Sequence, residues 1–185
     1  MNQDTYFDGF WQNEKYFKEF DTELQSIFSM KGRLSTSSIV YEEQIKESNS
    51  VSLHVRRGDY VTSKLTNEIH GTCSLDYYQK AVSMIESKIK NPVFYLFSDD
   101  IPWVKDNFSF IENKKFIQLD DETPPHDEIH LMSLCDHNII ANSSFSWWGA
   151  WLNNNKEKIV IAPFKWFNDK SFDVTDLNPK SWLCL

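Results

Sequence analysis

The alternation of short apolar runs with amphipathic segments constrains the fold of this chain most strongly. Runs rich in β-branched and aromatic residues occupy 51–55, 93–98, 116–119, 138–141 and 159–162, and apolar residues at helical spacing lie between them. Parallel strands need crossover connections of about a dozen residues or more, usually helices. The pattern therefore predicts an α/β fold, a Rossmann-like parallel sheet with crossover helices.

Helix starts are marked at several places. Ser74 is suited to cap a helix, and Pro102 suits the first turn of another because proline has no N–H to leave unpaired there. Asp127 and Glu128 favour the start of a third helix, since negative charge complements the helix dipole. Upstream of the first strand, apolar spacing predicts one amphipathic helix over 10–28. Its apolar face would consist of Phe10, Phe17, Phe20, Leu24 and Ile27.

Three polar clusters directly follow predicted strands. They are RRGDY at 56–60, SDD at 98–100 and NSSFS at 142–146. In sheets of this kind, ligands bind outside the carboxyl ends of the strands. We therefore expect the three clusters to converge on one crevice.

The arginine pair is suited to hold an anion. The guanidinium groups of Arg56 and Arg57 present planar forks that can bind a phosphate bidentately and that keep their charge. The alternative is a structural ion pair with Asp59 or another carboxylate. Since adjacent side chains on an extended segment point to opposite sides, one of the two arginines should turn away from the site.

The other two clusters also have two interpretations each. Ser143 and Ser144 could offer hydroxyl and N–H groups to an anion at a helix N-terminus, or one of them could simply cap that helix. Asp99 and Asp100 could bind a metal ion, but negative charge at a helix N-terminus is the favoured interpretation.

Charge and cysteine content disfavour several classes of protein. A formal net charge of −8 argues against sequence-independent binding of duplex nucleic acid. The 3 cysteines do not suggest a disulfide framework, and the acid in HDEIH at 126–130 has the wrong offset for an HExxH zinc site. No apolar run approaches the roughly 18 residues of a membrane span. We expect a soluble, cytoplasmic protein, or one peripheral to the inner face of a bacterial membrane, without a metal site.

Four segments together resemble one known family. HVRRGDY, CSLDYYQKAV, LFSDDIPWVK and LMSLCDHNIIANSSFSWWGAWLN are similar to glycosyltransferase family 11, the α-1,2-fucosyltransferases. The likeness extends from about Tyr6 to the C-terminus. It implies an inverting, metal-independent GT-B enzyme without a cofactor, which moves L-fucose from GDP-fucose to the 2-hydroxyl of a terminal galactose on a glycan acceptor.

The resemblance also implies donor-binding residues. Arg56 would bind the β-phosphate, with Arg57 supporting the loop, and Ser143 or Ser144 would meet the diphosphate. Glu128 matches an acid that helps fix the guanine end in related fucosyltransferases, where aspartate is the expected residue. The same cleft would be shaped or lined by His54, Asp99 and Asp100.

Asp59 is the candidate catalytic base. It could accept the proton of the acceptor hydroxyl, but orienting Arg56 or Arg57 is the favoured role. A preorganised guanidinium together with a helix N-terminus could stabilise the charge that develops on departing GDP without a metal.

One departure from the family is large. Its members begin with a GGLGNQ loop and a whole N-terminal Rossmann-like domain, and neither is found in this sequence. We therefore interpret 1–48 as a helical connecting segment and 49–185 as the GDP-fucose-binding domain. The chain by itself should bind GDP or GDP-fucose but transfer fucose poorly, and apolar surface at Phe10, Trp11 and Phe17 should favour self-association. The alternatives are a nucleotide-sugar-binding module without catalysis and a metal-dependent GT-A enzyme that uses SDD.

Overall fold

One parallel sheet organises the part of the chain that the structure describes. The computed structural model describes residues 4–6 and 8–185. Its strands are β1 (Ser50–Val55), β2 (Val93–Ser98), β3 (Lys114–Phe116), β4 (His137–Ile139), β5 (Val160–Ala162) and β6 (Leu183–Cys184). In these residues they form a 6-stranded sheet in the order β3-β2-β1-β4-β5-β6, with every neighbouring pair parallel. The predicted Rossmann-like α/β fold is thus confirmed.

Helices connect the strands, as the sequence predicts. The helices are α1 (Asp21–Phe28), α2 (Thr36–Lys46), α3 (Gly58–Thr62), α4 (Lys64–Ile69), α5 (Leu75–Glu86), α6 (Ile101–Asn107), α7 (Pro125–Leu134) and α8 (Ser144–Trp151). The Ser74 hydroxyl accepts a hydrogen bond from the Tyr77 N–H, and Pro102 lies in the first turn of α6. Asp127 and Glu128 lie in the first turn of α7. None of the described helices has the length and apolar character needed to cross a bilayer.

The sheet is buried because helices cover both of its faces. On one face, alternate β1 residues pack against α5 and α6. On the other face, β2 packs against α2 and α7, and β5 packs against α8. Because both faces are covered, every residue of β1 is buried, including the polar ones.

The bounds of the shorter strands differ from the predicted ones. The strand predicted at 116–119 lies earlier in the chain, where β3 pairs with β2 over Lys114–Phe116. Hydrogen bonding to β2 continues one residue further, because the Ile117 N–H donates to the Leu96 carbonyl at 2.9 Å. β6 was not predicted, because a two-residue strand has too little sequence to show an alternating pattern.

The single helix predicted over 10–28 is wrong. Two short 3₁₀ turns, Glu14–Tyr16 and Lys18–Phe20, precede α1. Phe17 leaves the helical conformation, with φ −141° and ψ 11°, and its ring packs 5.6 Å from Trp148 and 4.9 Å from Trp151. It is therefore buried, against the prediction that it is exposed. The predicted apolar face does not exist, since three of its members are exposed: Phe10 (76%), Phe20 (59%) and Ile27 (59%).

α2 contributes to the core of the sheet domain. Ser35 caps it, and the backbone N–H of Ser35 donates to the Asp127 carboxylate at 3.0 Å. Ile45, near the end of α2, is 1% exposed and packs against Tyr95 and Leu131 in the core. The division of the chain at residue 48 stays a prediction.

Candidate functional site

The sheet has a switch point between β1 and β4. From β1 the chain adds β2 and β3 on one side, and it then crosses to add β4, β5 and β6 on the other. Sheets of this order bind ligands in the crevice at that point. Leu53 pairs with Ile139, the last residue of β4, and β1 continues for two more residues to Val55. Beyond the strands, the Tyr60 hydroxyl donates to the Asn142 carbonyl at 3.3 Å. The arginine segment and the N-terminus of α8 therefore lie side by side.

Arg56 is a partly exposed cation held between two carboxylates. Its Nη2 lies 2.6 Å from Asp59 Oδ1, and its Nη1 lies 3.0 Å from Asp99 Oδ2. The guanidinium carbon is 5.4 Å from the centre of the Tyr60 ring. Because 34% of the side chain is exposed, an anion in the crevice can reach this oriented guanidinium.

Arg57 has a different environment. Its guanidinium lies 3.7 Å from the centre of a Trp103 ring, and its Nε donates to Asp100 Oδ2 at 3.1 Å. Its side chain is 18% exposed. The backbone N–H of Arg57 donates to Asp99 Oδ1 at 2.8 Å. The ion pair with a carboxylate, which the sequence left as the alternative, is thus found at both arginines, and Arg57 is the less exposed of the two.

The acids after β2 bind the arginine loop and start α6. A Cβ atom on Gly58 would lie only 2.5 Å from Asp99 Oδ2, so the absence of a side chain at 58 lets Asp99 approach the loop. Asp100 Oδ1 accepts the Trp103 N–H at 3.1 Å and caps α6. In 4–6 and 8–185, no group of three or more His, Cys, Asp or Glu side chains is placed to hold a metal ion.

The N-terminus of α8 completes the crevice. Ser143 is the N-cap, with its hydroxyl accepting the Phe145 N–H at 3.3 Å, and Ser144 begins the helix. Ser143 is 7% exposed, whereas Ser144 is half-buried and lines an apolar cleft of about 930 Å³ beside α1. The capping role proposed for one serine is therefore seen at Ser143, and Ser144 is the more accessible of the two.

His54 lies in β1 just before the arginines. It is 4% exposed, its ring centre is 5.8 Å from that of Phe145, and its Nδ1 has no hydrogen-bond partner among the described residues. Burial, and then the positive charge of Arg56, lower the pKa of His54 to about 3. The imidazole is consequently neutral at physiological pH.

Of the two acids at the start of α7, only Glu128 is available to a ligand. Glu128 is half-buried, and burial followed by the negative charge of Asp99 raises its pKa. Asp127 is 1% exposed and accepts the Ser35 N–H. Burial would raise the pKa of Asp127, but the hydrogen bonds from Ser35 and Ser38 hold it below its ordinary value.

Two sets of contacts at the crevice were not predicted from the sequence. Trp103 stacks on Arg57, and its position just after Pro102 in the first turn of a helix was the available signal. The Asn142 side-chain amide donates to the carbonyls of His70, Gly71 and Trp166 at 3.0–3.1 Å. Those contacts join loops that are distant in sequence, so no local pattern could have indicated them.

The chain is similar to several known proteins. A family model described as "Glycosyl transferase family 11" matches residues 1–185. An α-1,2-colitosyltransferase of Escherichia coli is 40% identical over 181 residues, which is 96% of this chain and 61% of that protein. The O-antigen biosynthesis glycosyltransferase WbnK of Escherichia coli is 42% identical over 149 residues, 79% of this chain and 48% of that protein. Galactoside 2-α-L-fucosyltransferase SEC1 of Bos taurus is 30% identical over 108 residues, 58% of this chain and 29% of that protein.

The chain thus spans about 61% or less of the length of these curated relatives. Among solved structures, the fucosyltransferase NodZ from Bradyrhizobium matches with a TM-score of 0.40 and 10% identity, over 74% of this chain and 58% of NodZ. A NodZ α-1,6-fucosyltransferase soaked with GDP-fucose gives a TM-score of 0.40 and 12% identity, over 75% of this chain and 59% of that one. Likeness at this level assigns no role to individual residues.

Proposed function

The chain belongs to glycosyltransferase family 11, and from this premise we propose that it binds GDP-fucose for transfer of L-fucose to the 2-hydroxyl of a terminal galactose. The observation that carries the proposal is the position of Arg56 and the α8 N-terminus at the switch point of the sheet. A guanidinium and free helix N–H groups are the two devices that bind a diphosphate in such sheets. The name of the bovine relative supports the sugar and the linkage.

The proposed donor site assigns a role to each predicted residue. Arg56 binds the β-phosphate, and Arg57 holds the loop through Trp103 and Asp100. Asp99 orients both arginines, through the Arg56 guanidinium and the Arg57 N–H. Further donor contacts are proposed for Ser143 and Ser144 at the diphosphate, Glu128 at the guanine and His54 beneath Arg56.

Glu128 fits the guanine end because of its chemistry and its place. Guanine presents N–H donors along one edge, and a carboxylate accepts such donors. Glu128 lies in the first turn of α7, near enough to Asp99 for their charges to interact. A bound guanine would supply hydrogen-bond donors that the half-buried carboxylate needs.

The proposed reaction is inverting and uses neither a metal nor a cofactor. As the bond from fucose to the β-phosphate breaks, negative charge develops on GDP, and Arg56 and the N–H groups of α8 stabilise it without reorganising. Asp59 has two proposed roles. Its 2.6 Å ion pair with Arg56 supports the orienting role, and its half-exposed carboxylate also keeps it as the candidate base for the acceptor hydroxyl.

The proposal is tested with the purified chain in two steps. Calorimetric titration with GDP and GDP-fucose measures donor binding, and we expect saturable binding to one site. Radiolabelled transfer from GDP-fucose to a panel of β-galactosides, in excess EDTA, then measures catalysis. Absence of GDP binding would refute the proposal, and activity that EDTA abolishes would favour a metal-dependent enzyme. Binding with slow transfer is the result we expect from this chain, and binding without transfer to any galactoside would favour a nucleotide-sugar-binding module.

A second donor sugar has its own support. The α-1,2-colitosyltransferase is 40% identical and aligns with 96% of this chain. Colitose is fucose without its 3-hydroxyl, so a site built for one sugar differs from a site for the other by a few hydrogen bonds. A site that hydrogen-bonds the 3-hydroxyl should discriminate strongly against the deoxy sugar, because its polar groups would be left unpaired. Parallel titrations with GDP-fucose and GDP-colitose decide between the two donors.

A further inference from the structure

A row of neighbouring aromatic rings leads away from Arg56 along the edge of the crevice. The Tyr60 ring lies 4.7 Å from the His70 ring at an interplanar angle of 12°. The His70 ring is 5.3 Å from that of Phe167, which is 4.6 Å from Phe172. We call His70, Phe167 and Phe172 the aromatic shelf. It begins next to the guanidinium assigned to the β-phosphate, because Arg56 lies over Tyr60.

Backbone contacts fix the shelf in place. The Asn168 N–H donates to the Ile69 carbonyl at 2.8 Å, and the Asn168 side-chain amide donates to the Asn67 carbonyl at 2.8 Å. A Cβ atom on Gly71, whose φ is +64°, would lie 2.5 Å from that Asn168 amide. The loop after β5 is therefore joined tightly to the end of α4, and the amide of Asn142 joins both to the end of β4.

The shelf combines apolar surface with polar groups at the end that lies near Arg56. Phe172 is 46% exposed. The buried His70 Nδ1 has no hydrogen-bond partner among the described residues. Burial lowers the pKa of His70, and the charges of Asp59 and Arg56 also act on it, so the ring lies near both groups. Asp59, 51% exposed, offers further acceptor oxygens at the same end.

We propose that the aromatic shelf binds the galactose ring of the acceptor, an inference that rests on the proposed function. One face of galactose carries only C–H groups and packs well against aromatic rings, whereas its hydroxyls need hydrogen-bond partners. The shelf offers ring surface at Phe167 and Phe172, and polar groups at His70 and Asp59. The shelf lies beside Arg56, which is assigned to the β-phosphate. A galactose bound there would therefore lie next to the fucose carbon whose bond to the β-phosphate breaks.

The nucleotide base is a less suitable occupant of the shelf. Guanine would be served by a carboxylate, and the one assigned to it, Glu128, lies on α7, which packs on the opposite face of the sheet from α5. The shelf belongs to the segments that follow β1 and β5. Guanine bound at the shelf would leave the Glu128 carboxylate without the guanine N–H groups that are proposed to donate to it.

Galactoside binding to the GDP-loaded chain tests the inference. Methyl β-D-galactoside is titrated into ¹⁵N-labelled chain saturated with GDP, and amide shifts are followed by NMR. We expect the shifts to concentrate at Gly71, Asn168 and Phe172. Phe172→Ala should weaken galactoside binding roughly threefold to tenfold, the range for one lost aromatic contact, with GDP affinity changed less than twofold. Phe172→Tyr keeps the ring and should retain the affinity.

Phe164→Ala is the matched control, because Phe164 is an exposed phenylalanine, 79% accessible, that follows β5 and lies outside the aromatic shelf. It should leave galactoside binding unchanged. Equal losses in Phe172→Ala and Phe164→Ala, or shifts confined to other residues of the wild-type chain, would overturn the shelf assignment. GDP binding without any galactoside binding would overturn it while the donor proposal stands. Absence of GDP binding would instead refute the proposed function.

Discussion

Arg56 and Arg57 are adjacent, yet their side chains have different surroundings. Arg57 lies against Trp103, and its Nε donates to Asp100, so its guanidinium is held in a contact with the protein and is only 18% exposed. Arg56 is more exposed and is held by carboxylates that belong to the crevice itself. An anion that enters can therefore take Arg56 as a ligand without dismantling the packing of the loop.

We expect Arg56→Ala to weaken GDP binding ten- to a hundredfold. A charge-assisted hydrogen bond to phosphate contributes roughly 1.5–3 kcal/mol, which corresponds to that range. Arg56→Lys should restore little, because an ammonium cannot reproduce the planar fork. Calorimetry with GDP measures the effect, and Arg57→Ala is the paired variant. Arg57→Ala should lower stability, through the lost Trp103 and Asp100 contacts, more than it lowers GDP affinity. Unchanged affinity in Arg56→Ala would remove Arg56 from the phosphate site.

His54 predicts a pH dependence of stability. Its pKa is lowered from 6.5 to about 3 in the folded chain, so the unfolded state binds the proton more tightly. The stabilising contribution is complete above the unfolded pKa and is lost as pH falls from about 6.5 towards about 3, with a slope of at most about 1.4 kcal/mol per pH unit.

His54→Asn should remove this part of the acid sensitivity. Urea unfolding of the wild-type chain and of the variant at pH 7, 5 and 4 measures it. The difference in unfolding free energy between them should shrink as the pH falls. His126→Asn, at an exposed position, is the control and should change the profile less than His54→Asn, through the 3.6 Å contact between His126 and Asp127. A parallel pH profile for His54→Asn would show that the imidazole does not resist protonation in the folded state.

At the scale of elements, the N-terminus of α8 has a structural role in capping and a proposed role in binding the diphosphate. Ser143 caps the helix, Ser144 is its first residue, and the following turns carry the tryptophans that build the core on that face. A cap at this position holds the N–H groups of the first turn in the orientation that an anion requires. Under the proposed function, the stability of the helix and the binding of phosphate would both depend on this segment.

Replacing both Ser143 and Ser144 with Ala should weaken the binding of GDP more than that of guanosine. The two hydroxyls are assigned to the diphosphate, which guanosine lacks. Stability should fall by about 1 kcal/mol, and Ser143→Ala alone should account for that loss because its hydroxyl accepts the Phe145 N–H. Titrations corrected for the lower thermal stability measure the two affinities. An equal loss for GDP and guanosine would assign both serines to capping alone.

At the scale of the whole molecule, the segment before α2 leaves a large apolar surface exposed. It includes Tyr6, Phe10, Phe20, Ile27 and Phe28, which are 54–90% exposed. Monomeric proteins seldom expose contiguous apolar patches of more than a few hundred Å², and larger ones mark interaction surfaces. Several of these residues line the cleft of about 930 Å³ that reaches Ser144 at the start of α8.

We therefore predict that the chain self-associates through this surface. Sedimentation velocity at increasing protein concentration should show a rising average mass. Phe10→Ser together with Ile27→Ser should shift the distribution towards the monomer, since both side chains are exposed and contribute little to the core. Leu65→Ser is the control, because Leu65 is 69% exposed on α4. A monomer at all concentrations, or an equal effect of Leu65→Ser, would contradict the prediction.

Local patterns determined the sheet and the helix starts. The strands at 51–55 and 93–98, the cap at Ser74 and the proline in the first turn of α6 depend on residues within a few positions of one another. A parallel sheet also brings the ends of its strands to one edge, so the meeting of RRGDY with SDD followed from the strand assignments. For these features, burial in the fold reinforces the local preference.

Only the tertiary structure decided which side chains face the crevice. Phe17 leaves the helical pattern because the rings of Trp148 and Trp151 bury it, and Arg57 turns aside because Trp103 offers it a face. Asn142 joins three loops through contacts with residues far away in the sequence. These side-chain orientations depend on the free energy of burying and pairing groups that meet only after the chain has folded. A short window of sequence therefore cannot predict them.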